Sequence, residues 1–150
     1  MQVIDQINND YNQALKSKDE LAVLVLRQLK TAFGNAEIAN NRQALDEQAL
    51  IKILRGEVKK RRDSIELYQQ GGRAELADKE QQEIDIIKKY LPAELDEAVV
   101  KEKIQEVINQ IGATGPADTG KVMGAVMKAL AGQADGSLVG KLVNETLKQK

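Results

Sequence analysis

The chain has 150 residues, 42% of them hydrophobic and 30% charged, with 22 Lys and Arg against 23 Asp and Glu. That balance excludes a strongly basic nucleic-acid binder acting through global charge, and the charged residues point to solvated helices rather than disorder. There is no Cys and no His, aromatics are scarce, and Pro occurs only at Pro92 and Pro116, so disulfides and thiolate metal sites are excluded and long stretches are free to be helical.

In chain order, Val3, Ile4, Ile7, Tyr11, Ala14 and Leu15 share one helical face and predict a first helix ending near Lys16. Ser17-Lys18-Asp19-Glu20 has the form of a capping box, with Ser17 as the expected cap of a second helix. That helix carries Leu21, Leu24, Val25, Gln28, Leu29, Ala32, Phe33 and Ala36 in register and frays at Asn40-Asn41-Arg42. Asp46 is the expected cap of a third helix reaching Gln70, where Gly71-Gly72 supply a left-handed stop. Its seam reads Ile51, Leu54, Val58, Arg61, Ile65 and Tyr68. Arg61 interrupts that seam: either its stem packs while the guanidinium snorkels or meets a carboxylate, or it forms a buried pair with an acid of the next helix. A fourth helix is expected from Ala74 to Tyr90, with Leu76, Ile84, Ile87 and Leu91 as its sparse apolar face.

Leu91-Pro92 marks the expected boundary between an N-terminal domain of about four helices (1–92) and a small three-helix domain (93–150). Asp96 can cap a fifth helix built on Val99, Val100, Ile104, Val107, Ile108 and Ile111 and closed by Gly112. From Asp118 to Leu147 two short helices surround a Gly-rich turn. Gly124 and Gly140 sit inside them, where each costs about 1 kcal/mol against alanine, so close packing or ligand approach is the expected reason. Ser137 is read as a cap. The fold class is all-α.

GPADTGK (Gly115 to Lys121) matches half of a phosphate-binding loop, but it lacks the preceding strand and the following hydroxyl, so no nucleotide is expected. Lys52, Arg55, Lys59 and Arg62 recur at steps of three and four on the third helix. They read as a solvated face interleaved with acids or as a track for phosphates. Lys121, Lys128 and Lys141 border the Gly-rich helices, diluted by Asp118, Asp135 and Glu145. They read as surface or, with Gly120 and Gly124, as a contact surface for RNA or a protein partner. No Ser has an imidazole to activate it, so no catalytic residue, cofactor or metal ligand is assigned. No apolar run approaches the roughly 20 residues of a membrane span, the start with Asp5 and Asp10 is not that of a secretory signal, and the expected location is cytoplasmic.

LRQLKTAFGNAEI (Leu26 to Ile38), KKYLP (Lys88 to Pro92) and GKVMGAVMKALAGQADGSLVGKLVNETL together resemble the YqeY-like family. The C-terminal part of that family is similar to the tail domain of GatB, a subunit of the glutamine-dependent aminoacyl-tRNA amidotransferase. The resemblance implies a two-part helical protein; in the amidotransferase the tail helps engage tRNA, while the amide chemistry belongs to other domains and a partner subunit. The implied function is a non-catalytic tRNA-associated or amidotransferase-associated module, with tRNA or amidotransferase subunits as partners. The alternatives are a protein-interaction module without RNA, or a component of a carbon-nitrogen ligase with glutamine as amido-N-donor.

Overall fold

The computed structural model describes residues 2–130 and 133–149. Among these it is all-α: α1 (Val3–Ser17), α2 (Glu20–Ala39), α3 (Glu47–Gln70), α4 (Ala74–Lys88), α5 (Glu97–Ile111), a 3-10 turn at Pro116–Asp118, α6 (Thr119–Leu130) and α7 (Gly136–Lys148). Two compact units, Met1–Leu91 and Pro92–Lys150, each close around their own core.

The first unit is made of two helical hairpins, α1 with α2 and α3 with α4, and α2 packs against both helices of the second hairpin. Its core is aliphatic apart from Phe33 and Tyr90, with Ile7, Leu26, Leu29, Leu54, Ile84 and Ile87 almost wholly buried. Local chemistry moves several element ends from where the pattern puts them. Ser17 does not cap α2: its hydroxyl donates back to the Ala14 carbonyl at 3.4 Å, and Asp19 accepts from the Ala22 amide at 3.2 Å. A carboxylate suits the positive end of a helix better than a hydroxyl, and Lys18 makes the turn in the left-handed region, φ 57°. Asp46 caps α3 through the Ala49 amide at 2.8 Å. At the other end of α3 the left-handed residue is Gly72 (φ 70°), which a side chain would strain, while Gly71 keeps an ordinary backbone. The last turn before Pro92 tightens, with Tyr90 and Leu91 donating to the carbonyls three residues back at 3.0 and 3.2 Å. The helix therefore ends at Lys88 rather than Tyr90, because a residue preceding proline is pushed out of the helical region.

Two seams begin one position away from the pattern, while Leu54, Val58 and Arg61 of α3 and Ile84 and Ile87 of α4 are buried as expected. Leu50, not Ile51, begins the buried row of α3, and Ala77, not Leu76, begins that of α4. A small residue lets the two long helices approach, and Leu76 turns outward beside it, 38% exposed.

The second unit packs α5, α6 and α7 pairwise around Val100, Ile104, Ile108, Val122, Val126, Val139, Val143 and Leu147. Gly112 ends α5 with φ 74°. Asp96 stands at the N-cap of α5 without a side-chain hydrogen bond to it. Asp135, rather than Ser137, caps α7, accepting from the Ser137 amide at 3.1 Å. The Leu95 amide donates to the Gln133 carbonyl at 2.8 Å and ties the entry of the unit to the approach to α7. Ala131 and Gly132 of the Gly-rich turn lie outside the described residues.

Candidate functional site

The helix α6 reads TGKVMGAVMKAL and holds no acidic residue. Val122, Val126 and Leu130 bury one side of it, which fixes which residues point away. Gly120, Lys121, Gly124 and Lys128 are all exposed and recur on the outer side. A Cβ built on Gly120 or Gly124 would meet nothing within 4 Å. The expectation of close internal packing therefore fails at Gly124: its backbone is bare toward solvent. Gly140 behaves differently, since a Cβ there would lie 3.7 Å from the Met123 methyl of α6. Gly140 is packed within the unit, and Lys141 beside it is exposed on α7.

Two of the acids that dilute these lysines, Asp118 and Asp135, are engaged locally. The Asp118 carboxylate accepts from the Thr114 amide at 3.0 Å, and the Thr119 hydroxyl donates to the Pro116 carbonyl at 2.7 Å. The segment that imitates a phosphate loop is thus a 3-10 turn stapled by its own carboxylate. Its negative charge stands where a phosphate would have to sit.

Because nothing inside the unit opposes a side chain at position 124, Gly124→Ala is expected to stabilise the protein by about 0.5–1 kcal/mol through helix propensity. Urea denaturation measures this. A destabilised variant would mean that α6 meets something through Gly124.

The cations of α3 are arranged otherwise. Lys52 and Lys59 are exposed, while Arg55 and Arg62 are half-buried. Lys60, beside them, holds Glu57 at 3.1 Å. These residues belong to the first unit and the α6 face to the second.

What the residue pattern left open at Arg61 is decided in the structure. Arg61 is 7% exposed and Glu83 of α4 is 6% exposed. The guanidinium donates through Nε to Glu83 at 3.3 Å, through one terminal nitrogen to the Glu57 carboxylate and carbonyl, both at 3.0 Å, and through the other to Gln28 Oε1 of α2 at 2.6 Å. One side chain thereby joins α2, α3 and α4. Burying a guanidinium is costly unless its donors are met, and here most of them are. Glu80, one turn from Glu83, has its carboxyl pKa raised, first by burial and then by the Glu83 charge. The partners were partly legible: Gln28 already interrupts the apolar register of α2, and Glu83 directly precedes Ile84 on the seam of α4. Outside this hub a groove of about 510 Å³ runs between α2 and α3, bordered by Gln28, Thr31, Asn35, Gly56, Glu57 and Lys60. Among the described residues no group of three or more carboxylates is placed to hold a metal ion, and no helix is long and apolar enough to cross a membrane.

Two helical units with separate aliphatic cores, one held by a buried ionic hub and the other carrying a bare glycine and lysine face, define a small all-α protein of two parts. The chain belongs to the YqeY-like protein family, whose model matches residues 4–147. Curated relatives are the proteins named "Altered inheritance of mitochondria protein 41, mitochondrial". That of Clavispora lusitaniae is 33% identical over 85% of this chain and 74% of its own length. That of Lachancea thermotolerans is 30% identical over 75% of this chain and 62% of its own. That of Saccharomyces cerevisiae is 34% identical over 59% of this chain and 48% of its own. The chain thus spans roughly half to three quarters of the length of these relatives. Their names contradict the cytoplasmic expectation, because they are mitochondrial proteins.

Proposed function

We propose that this protein is a non-catalytic helical module that contacts tRNA through the outer face of α6, in association with an amidotransferase or a comparable tRNA-handling assembly. The observation that carries the reading is that Gly120 and Gly124 face open space between the exposed Lys121 and Lys128. Gly124 in the helix interior is unfavourable by about 1 kcal/mol, and no packing within the unit offsets it. A bare helical backbone beside two ammonium groups, on a helix without a carboxylate, suits close approach of a phosphate backbone. Such contacts position an RNA without reading its sequence. Lys141 extends the basic character on α7. The α3 cations Lys52, Arg55, Lys59 and Arg62 belong to the first unit, and the reading does not rest on them.

Binding of total tRNA across a salt series tests the reading. The double variant Lys121→Glu, Lys128→Glu is expected to bind about tenfold more weakly at low salt, with the slope of log affinity against log salt reduced by about two. Equal affinity of the variant and the parent overturns it. A partner that survives ribonuclease digestion and is lost in Gly124→Leu would assign the same face to a protein instead.

A further inference from the structure

Met123 and Met127 stand four residues apart on α6, and Gly136 and Gly140 four apart on α7. The two pairs meet in antiparallel order. A Cβ on Gly140 would lie 3.7 Å from the Met123 methyl and 4.0 Å from its sulfur, and one on Gly136 would lie 3.8 Å from the Met127 methyl. Two thioether side chains therefore lie over two glycines, and each rung of this α6–α7 contact is made by a methionine on one side and bare backbone on the other. Both methionines pack against the core of the unit, yet both are only partly buried. The sequence has no cysteine and three methionines, of which Met1 lies outside the described residues. Among the described residues these two thioethers are thus the whole of the oxidisable sulfur.

We propose that Met123 and Met127 are a paired oxidation site, at which a peroxide converts the thioethers to sulfoxides and loosens α7 from α6. The sulfur lone pair attacks one peroxide oxygen as the O–O bond breaks. The S–O bond forms, the proton of the transferred oxygen passes to the departing one, and water leaves. Sulfur is oxidised by two electrons and the peroxide is reduced by two. Partial exposure lets the oxidant reach the sulfur. Partial burial makes the product matter, because a methionine that was flexible and apolar becomes polar and chiral against a surface with no side chain to rearrange around it. Glycine opposite the sulfur offers neither a hydrogen-bonding side chain to the new oxygen nor a residue to fill the space if the methionine withdraws. The same helix carries Gly124 and Lys128, so its outer face would be displaced together with this contact. The proposal does not depend on what that face binds.

The full-length protein is treated with hydrogen peroxide, mapped by peptide mass, and followed by amide hydrogen exchange. One added oxygen is expected on each of Met123 and Met127. Protection of α6 and α7 amides is expected to fall on the order of tenfold, with α1 to α4 unchanged and protection restored by sulfoxide reductases acting on both epimers. The double variant Met123→Leu, Met127→Leu, which conserves apolar volume, is expected to keep its protection under the same peroxide. Each single leucine variant is expected to lose part of the response, which preserves the test if the double variant folds poorly. Sulfoxides at both positions with unchanged protection overturn the proposal. So does a peroxide dose that oxidises Met1 and spares both, or an equal loss of protection in the leucine variants.

Discussion

Arg61→Ala is expected to destabilise the first unit by about 3–5 kcal/mol, the range for removing one partner of a buried ion pair. The effect has two parts. Glu83, 6% exposed, would lose the guanidinium that donates to it at 3.3 Å. Gln28 would lose the 2.6 Å bond that its Oε1 accepts from Arg61, which reaches across from α2 to α3. Glu57 is less affected, because Lys60 already holds it at 3.1 Å. Urea unfolding of the single variant is to be compared with Arg61→Met combined with Glu83→Leu. An apolar pair of similar volume is often neutral or stabilising where an ion pair is removed whole, so the double variant is expected to recover most of the loss. A single variant within 1 kcal/mol of the parent would show that the aliphatic contacts, and not the hub, hold the hairpins together.

Tyr90 gives the second expectation. It lies at the end of α4, buried in the core of the first unit, and its hydroxyl donates to the Asp10 carboxylate of α1. Burial, and then this hydrogen bond, raise the phenol pKa above its ordinary value of 10.0. In the unfolded chain the group ionises near pH 10 while in the folded unit it stays protonated. Its contribution is therefore complete below pH 10 and declines as the pH rises from there toward the folded pKa. Tyr90→Phe is expected to cost about 1.5–3 kcal/mol at neutral pH, as for a hydrogen bond to a charged acceptor. It is also expected to flatten the fall in stability above pH 10. Unfolding midpoints measured from pH 8 to 11.5 check both. If parent and variant decline in parallel above pH 10, the Asp10 contact does not hold the proton.

The legible features were those written by local periodicity. Val100, Ile104 and Ile108 on α5, or Val139, Val143 and Leu147 on α7, could be buried by one face only, and they are. The errors fell where two local choices were nearly equal in energy. Ser17 and Asp19 are both competent caps, and the carboxylate two residues on wins. Ile51 and Leu50, or Leu76 and Ala77, differ by a rotation of 100° that only the neighbouring helix decides. At the candidate face, lysine spacing was visible, but the two interior glycines read alike. Gly140 receives Met123 and Gly124 receives nothing, a distinction that depends on which way each helix is turned.

The sequence by itself determined an all-α chain, because helical periodicity and residue type are local properties. Only the tertiary structure decided that Arg61 is a buried junction of three helices rather than a snorkelling surface cation. The same holds for Asp118, turned into a loop staple, and for the bare backbone of Gly124. Arg61 and Gly124 depend on which groups from distant parts of the chain compete for the same hydrogen bonds and the same space, while Asp118 depends on the turn that brings the Thr114 amide to it.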